Sequence, residues 1–230
     1  MTQEQPRRDA RDTQVGLWCE ISATTFEKRP ALFLDRDGVI VEDTHYLGRA
    51  QDLRMVAGAA DAIARCNRLD IPVVLVSNQS GIARGLYEWS GFHAVQVALS
   101  AALVKAGAHL DAVFACAYHG DGRAPFNIAD HPWRKPNPGM IIAAGERMRL
   151  DLAHSFVIGN RASDIAAGRA AQLAGGILIV PSADDAEAAA AIALKTEQFA
   201  VELAGSLEEA VARLLSRAWA GVAKAKKPRY

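Results

Sequence analysis

Cysteine is scarce in this chain. Of 230 residues only Cys19, Cys66 and Cys116 are cysteines, odd in number and far apart, which argues against a disulfide-stapled scaffold and fits a reducing compartment. Net charge is missing too: 26 Lys and Arg balance 26 Asp and Glu, so no overall field draws the chain to nucleic acid or to an anionic membrane. Any anion site must therefore be local. No apolar run approaches the roughly 20 residues of a membrane-spanning helix, and the N-terminal "MTQEQPRRDARDTQ" lacks the apolar centre of a signal peptide. A cytoplasmic protein is expected, with no membrane partner. No G-x-G-x-x-G follows a strand and no Walker lysine motif occurs, which disfavours dinucleotide and P-loop chemistry. Trp18, Trp89, Trp133 and Trp219 are scattered and build no stacking platform for bases.

What the chain does have is apolar residues, 50% of the total, enough to bury a sizeable core as one domain. We expect that domain over residues 15–222, between a flexible polar tail at 1–14 and a basic tail at 223–230. Strand-like runs stand at 31–34, 71–77, 111–118, 155–159 and 175–180, and "GLWCEI" at 16–21 reads as a short strand or arm. Helical patterns separate them at 58–69, 90–107, 138–149, 162–173, 184–194 and 207–220. The alternation predicts an α/β fold: a doubly wound, Rossmann-like parallel sheet of about five or six strands, buried on both faces. The 40 residues from Asp37 to Ser77 leave room for a small flap but not for a large cap domain. The loop at 119–134 is longer than usual connections and reads as functional.

In such a sheet ligands sit beyond the carboxyl ends of the strands, and polar residues gather there repeatedly. Asp35 and Asp37 end the first run, Ser77 and Asn78 the second, Arg134 and Lys135 follow the third, and Asn160 and Asp164 the fourth. On an extended strand, Asp35 and Asp37 point to one side, so a positive charge is needed between them. This set suits phosphoryl transfer. Asp35, ionised at neutral pH, can attack phosphorus and form an aspartyl phosphate. Asp37 can give a proton to the leaving oxygen and later take one from water. Ser77 can hydrogen-bond phosphoryl oxygens and Lys135 can neutralise them. Mg²⁺ bound by Asp35, the Asp37 carbonyl and the later acidic loop would offset the charge of phosphate and nucleophile.

The four segments "FLDRDGVI", "VVLVSNQSGIARG", "RKPNPGM" and "GNRASDIAAG" resemble, in order, the four motifs of the haloacid dehalogenase superfamily of phosphohydrolases. More narrowly, the first three are similar to those of the heptose bisphosphate phosphatases and the related histidinol phosphatases. The resemblance covers about residues 30–185. It implies catalysis by Asp35 and Asp37, phosphate or substrate contacts from Ser77, Asn78, Arg134 and Lys135, and magnesium held by Asp35, Asp37, Asn160 and Asp164. The substrate it implies is a small phosphorylated metabolite, with D-glycero-D-manno-heptose 1,7-bisphosphate as the best single guess. Histidinol phosphate, a nucleic-acid end, and a weakened phosphate-binding or regulatory role are the alternatives.

Two departures from the pattern stand out. The fourth motif usually reads GDxxxD, whereas position 160 is Asn, which can offer a carbonyl oxygen but no charge. Heptose bisphosphate phosphatases also commonly carry a zinc loop of three cysteines and a histidine. Here "CAYHGDGRAPFNIADHPWRKP" keeps Cys116, His119 and His131 as possible ligands, while His131 and Trp133 replace the closely spaced cysteine pair before "RKP". A structural zinc site needs four N or S ligands, so zinc is disfavoured. Arg84, His45 and Tyr46 flank the motifs and read as solvated or hairpin residues.

Overall fold

The computed structural model describes residues 15–22, 26–180 and 186–221; the tails expected at 1–14 and 223–230 lie outside them. Seven strands form one sheet: β1 (Leu17–Ile21), β2 (Leu32–Leu34), β3 (Val73–Asn78), β4 (Ala112–Cys116), β5 (Phe156–Gly159), β6 (Gly175–Ile179) and β7 (Ala200–Ala204). Their order is β1-β4-β3-β2-β5-β6-β7, parallel throughout except that β1 runs antiparallel along β4. The parallel sheet expected from sequence is present, with one strand more than the upper count. β7 is the strand that was not foreseen.

Helices cover both faces, as parallel connections require. On one side α1 (Ala59–Arg68), α3 (Trp89–Lys105) and α7 (Leu207–Ser216) pack on Leu32, Leu34, Val73, Leu75, Val113 and Ile158. On the other, α4 (Gly139–Met148), α5 (Ala162–Ala170) and α6 (Ala186–Ile192) meet Phe33, Val74, Val76, Phe114, Val157 and Leu178. Alternate residues of each strand thus enter opposite layers, which explains unbroken apolar runs instead of a polar–apolar alternation. A further four-residue helix, α2 (Ser80–Ala83), follows β3 directly. Among the described residues no helix is long and apolar enough to cross a membrane.

The chain leaves β2 for β3 on one side and later returns to β5 on the other, so β2 lies at the point where strand order reverses. Ligands of open α/β sheets bind at such switch points. The segment from Asp37 to Gly58 forms a small flap there. It is pinned by bridges from Asp37 to Val41 and from Val41 to Met55. Gly38 and Gly58 turn the chain at φ 80 and 75, angles at which a Cβ is strained.

Candidate active site

Asp35 is the first residue after β2 and Lys135 lies in the loop before α4, yet their side chains meet. Lys135 Nζ donates to Asp35 Oδ1 at 2.7 Å, to Asp164 Oδ1 at 2.6 Å and to the Val76 carbonyl at 2.8 Å. All three ammonium protons are therefore used. The group is almost dry: Asp35 is 8%, Lys135 4% and Asp164 1% exposed. Burial alone would lower the Lys135 pKa, but the carboxylates of Asp164 and Asp35 outweigh it and hold the ammonium charged. Asp164 is raised to about 6 by burial against the pull of Lys135, and so stays ionised at neutral pH. Its second oxygen accepts the Arg161 amide at 3.0 Å, and each oxygen keeps a further lone pair. Asp164 also orients Lys135.

Asp35 and Asp37 pair with different side-chain cations, Asp35 with Lys135 and Asp37 with Arg36. Arg36, 1% exposed, turns back and grips Asp37 through Nε at 3.1 Å and Nη2 at 3.0 Å. Its guanidinium also lies 5.4 Å from the centre of the Phe92 ring. The Asp37 carboxyl is raised by burial, with Arg36 opposing and Asp35 adding to the shift. Gln79 completes the cluster, donating to Ser77 Oγ at 2.7 Å and Asp37 Oδ2 at 3.3 Å. Neither Arg36 nor Gln79 was singled out from sequence, though both stand inside the quoted motifs. The available signal was a lone arginine between acids at the end of an apolar run, which can be buried only if it is paired.

Asn78 ties the tip of β3 to the lysine loop. Its amide donates to the Lys135 carbonyl at 3.0 Å and accepts the Lys135 amide at 3.1 Å. Both ends of the side chain hold the lysine loop, and the second N–H of the amide remains for a phosphoryl oxygen. Arg134 donates to the Tyr118 carbonyl at 2.9 Å; burial, with Arg84 adding its repulsion, lowers its pKa. Arg84 reaches Asp121 at 3.1 Å and His119 at 3.3 Å. Arg134, Arg84 and His119 therefore make a polar rim in the segments that follow β3 and β4.

The three candidate zinc ligands are divided. Cys116 Sγ and His131 Nδ1 stand 4.0 Å apart, and that nitrogen also accepts the Trp133 amide at 3.1 Å. His131 is stacked on Tyr118 with ring centres 4.3 Å apart. His119 turns instead toward Arg84, its Nδ1 accepting the Asp121 amide. Burial pushes the Cys116 thiol up to about 11, away from the thiolate that a metal needs.

Among the described residues no three His, Cys, Asp or Glu side chains converge as a metal cage. A hard cation would thus need oxygens of mixed origin, and these are present. Asp35 Oδ2 accepts no hydrogen bond among the described residues, and neither does the Asp37 carbonyl. Asn160 follows β5 and lies over Gly38, where an added Cβ would be 2.1 Å from its Nδ2. Its amide makes no hydrogen bond within the described residues. Carboxylate, carbonyl and amide oxygens suit Mg²⁺. A cavity of about 470 Å³ opens beside Gly38 and Asn160 toward Arg161, Glu187 and Ser206. None of Asp35, Ser77 or Lys135 lines it.

Comparison with known proteins places this site in a family. A family model described as HAD-hydrolase-like matches residues 132–204. A D-glycero-beta-D-manno-heptose-1,7-bisphosphate 7-phosphatase of Mesorhizobium japonicum is 47% identical over 169 residues, 73% of this chain and 78% of that protein. The crystal structure of a HAD-like phosphatase from Mesorhizobium loti superposes with a TM-score of 0.79 at 38% identity, covering 94% of this chain and 98% of the other. The D,D-heptose 1,7-bisphosphate phosphatase of B. bronchiseptica, crystallised with magnesium and phosphate, gives 0.68 at 28% identity, covering 81% and 98%. With its four motifs in order, the Asp35–Lys135–Asp164 arrangement at the strand tips and these relatives, the chain belongs to the haloacid dehalogenase-like family of phosphatases.

Proposed function

We propose that this phosphatase hydrolyses a phosphomonoester of a small sugar through an aspartyl phosphate on Asp35, with D-glycero-D-manno-heptose 1,7-bisphosphate as its substrate and the 7-phosphate as the group removed. The carrying observation is the dry Asp35–Lys135 pair at the switch point, with Ser77 on the next strand and one oxygen of the nucleophile left open. Similarity to the heptose bisphosphate phosphatases of Mesorhizobium japonicum and B. bronchiseptica supports the substrate.

Lys135 fixes one oxygen of Asp35, so the other attacks phosphorus in a single orientation. The bond from phosphorus to the ester oxygen breaks, and the departing oxygen takes its proton from Asp37. Asp37 then removes a proton from the water that attacks the aspartyl phosphate, releasing inorganic phosphate and restoring Asp35. Ser77 donates to the phosphoryl oxygens and the Lys135 ammonium lies beside the charge that develops on them. Magnesium would be held by Asp35, the Asp37 carbonyl, Asn160 and Asp164, and would supply the positive charge that lets two anions approach. We place Arg134 and the rim around it against the sugar or its second phosphate, the 119–134 loop without zinc, and the reaction in the cytoplasm, where its three free thiols are stable.

A phosphometabolite panel containing the heptose bisphosphate, histidinol phosphate and a 5′-phosphorylated oligonucleotide, assayed with and without Mg²⁺, tests the reading. The heptose bisphosphate should give the highest kcat/KM, and only with the metal. A higher value for either competitor would transfer the assignment to it. Asp35→Asn should retain under about a hundredth of the rate, because losing the nucleophile costs several kcal/mol at 1.36 per tenfold.

A further inference from the structure

Gln79 stands between the two groups that flank the reacting phosphoryl in the reading above, and its surroundings define its orientation completely. The side chain is buried, in a residue only 1% exposed. Its Nε2 donates to Ser77 Oγ at 2.7 Å and to Asp37 Oδ2 at 3.3 Å, while Oε1 accepts the Tyr87 hydroxyl at 2.6 Å and Arg36 Nη2 at 3.2 Å. A guanidinium only donates, so the amide oxygen must face Arg36 and the amide nitrogen must face the acceptors. Turning the amide over would set donor against donor. Ser77 has one hydroxyl proton, and because its oxygen accepts from Gln79 that proton is directed elsewhere. Arg36 is fixed in turn by Asp37, by the face of Phe92 and by the Leu47 carbonyl of the flap at 3.4 Å.

We propose that Gln79, clamped by Tyr87 and Arg36, is a positioning residue for this reaction. It commits the Ser77 hydroxyl to donate toward the phosphoryl oxygens, and it holds the Asp37 carboxyl in line with the leaving oxygen. The proposal rests on the parts given above to Ser77 and Asp37. Its chemistry predicts a signature that a packing role would not produce. A sugar alkoxide needs a proton as it leaves, whereas dinitrophenolate does not, so the aim of Asp37 matters for the first and not for the second. The donation from Ser77 matters for both.

The test measures kcat/KM, which reports the steps through aspartyl-phosphate formation, for 2,4-dinitrophenyl phosphate and for a sugar phosphate that the wild-type enzyme hydrolyses. Gln79→Leu should lower the sugar phosphate value by about 100-fold, the scale of lost general-acid catalysis, and the aryl phosphate value by only about tenfold, the scale of a weakened phosphoryl contact. In a Ser77→Ala background the aryl loss from Gln79→Leu should vanish, because two residues acting as a unit are not additive. Equal losses on the two substrates, or full additivity with Ser77→Ala, would overturn the proposal. Tyr87→Phe removes one clamp at small steric cost and provides the same comparison should Gln79→Leu fail to fold. It should show a loss of a few fold, larger for the sugar phosphate, and a uniform loss would count against the proposal equally. If Asp35→Asn proved active, the reading of the site itself would fall. If Asp35→Asn is inactive while Gln79→Leu acts uniformly, only the part of Gln79 falls.

Discussion

At the scale of single residues the site is a balance of buried charges, and Lys135 is its keystone. It is held by two carboxylates and a carbonyl, so Lys135→Met would leave Asp35 and Asp164 facing each other without a counter-charge. Such a loss costs about 3–5 kcal/mol, to be seen as a lower midpoint in urea unfolding. Adding Asp164→Asn removes one stranded anion and should recover part of that loss; no recovery would mean that packing, not charge, holds the lysine. Asn160 offers a second test. Asn160→Asp places a negative charge against Gly38 and should lower the half-saturating Mg²⁺ concentration about tenfold, equivalent to about 1.4 kcal/mol. An unmoved titration would show that position 160 takes no part in holding the metal. Asp35, Ser77 and Lys135 were legible in the sequence because strand tips carry ligand groups. The secondary roles were not, because motif matching names residues without their partners. That Asn78 and Asp164 also hold Lys135, by its backbone and its ammonium, is visible only once the fold brings them together.

At the scale of elements, the long helices were legible from spacing and composition, and their ends moved by only a residue or a few. α1 was expected at 58–69 and spans Ala59–Arg68, with Ala59, Ala62, Ile63 and Cys66 buried on one side. β7 was missed because "AVELA" has a single β-branched residue and no apolar run. Only its parallel pairing with β6 makes it a strand. α2 was missed because one helical turn has no period to detect. α7 carries its own start signal: Ser206 Oγ accepts the Glu209 amide at 3.1 Å, while Glu209 Oε2 accepts the Gly205 amide at 2.8 Å. Ser206→Ala should therefore cost about 1 kcal/mol, visible as a shifted urea midpoint at constant slope.

For the molecule as a whole, a core closed on both faces of the sheet makes its thiols reporters of opening. Cys66 is wholly buried, and burial pushes its thiol up to about 12. At pH 8 the thiolate would then be on the order of 1 in 10,000 molecules. A disulfide reagent such as DTNB should leave the folded protein unmodified and modify it only as denaturant opens the core; a stoichiometric burst at pH 8 without denaturant would contradict the packing described. The sheet itself adds a constraint of timing. Among the described residues β1 is the first strand to be made but pairs only with β4, Leu17 lying opposite Cys116. At 5–20 residues per second, the roughly 95 residues between them keep β1 waiting some 5–20 seconds on the ribosome. The parallel strands have no such freedom, since β3 can dock on β2 as soon as both have emerged. β1 is therefore on hand when β4 emerges, and it covers an edge that β4 would otherwise present, with unpaired amides and carbonyls, to any neighbouring nascent chain.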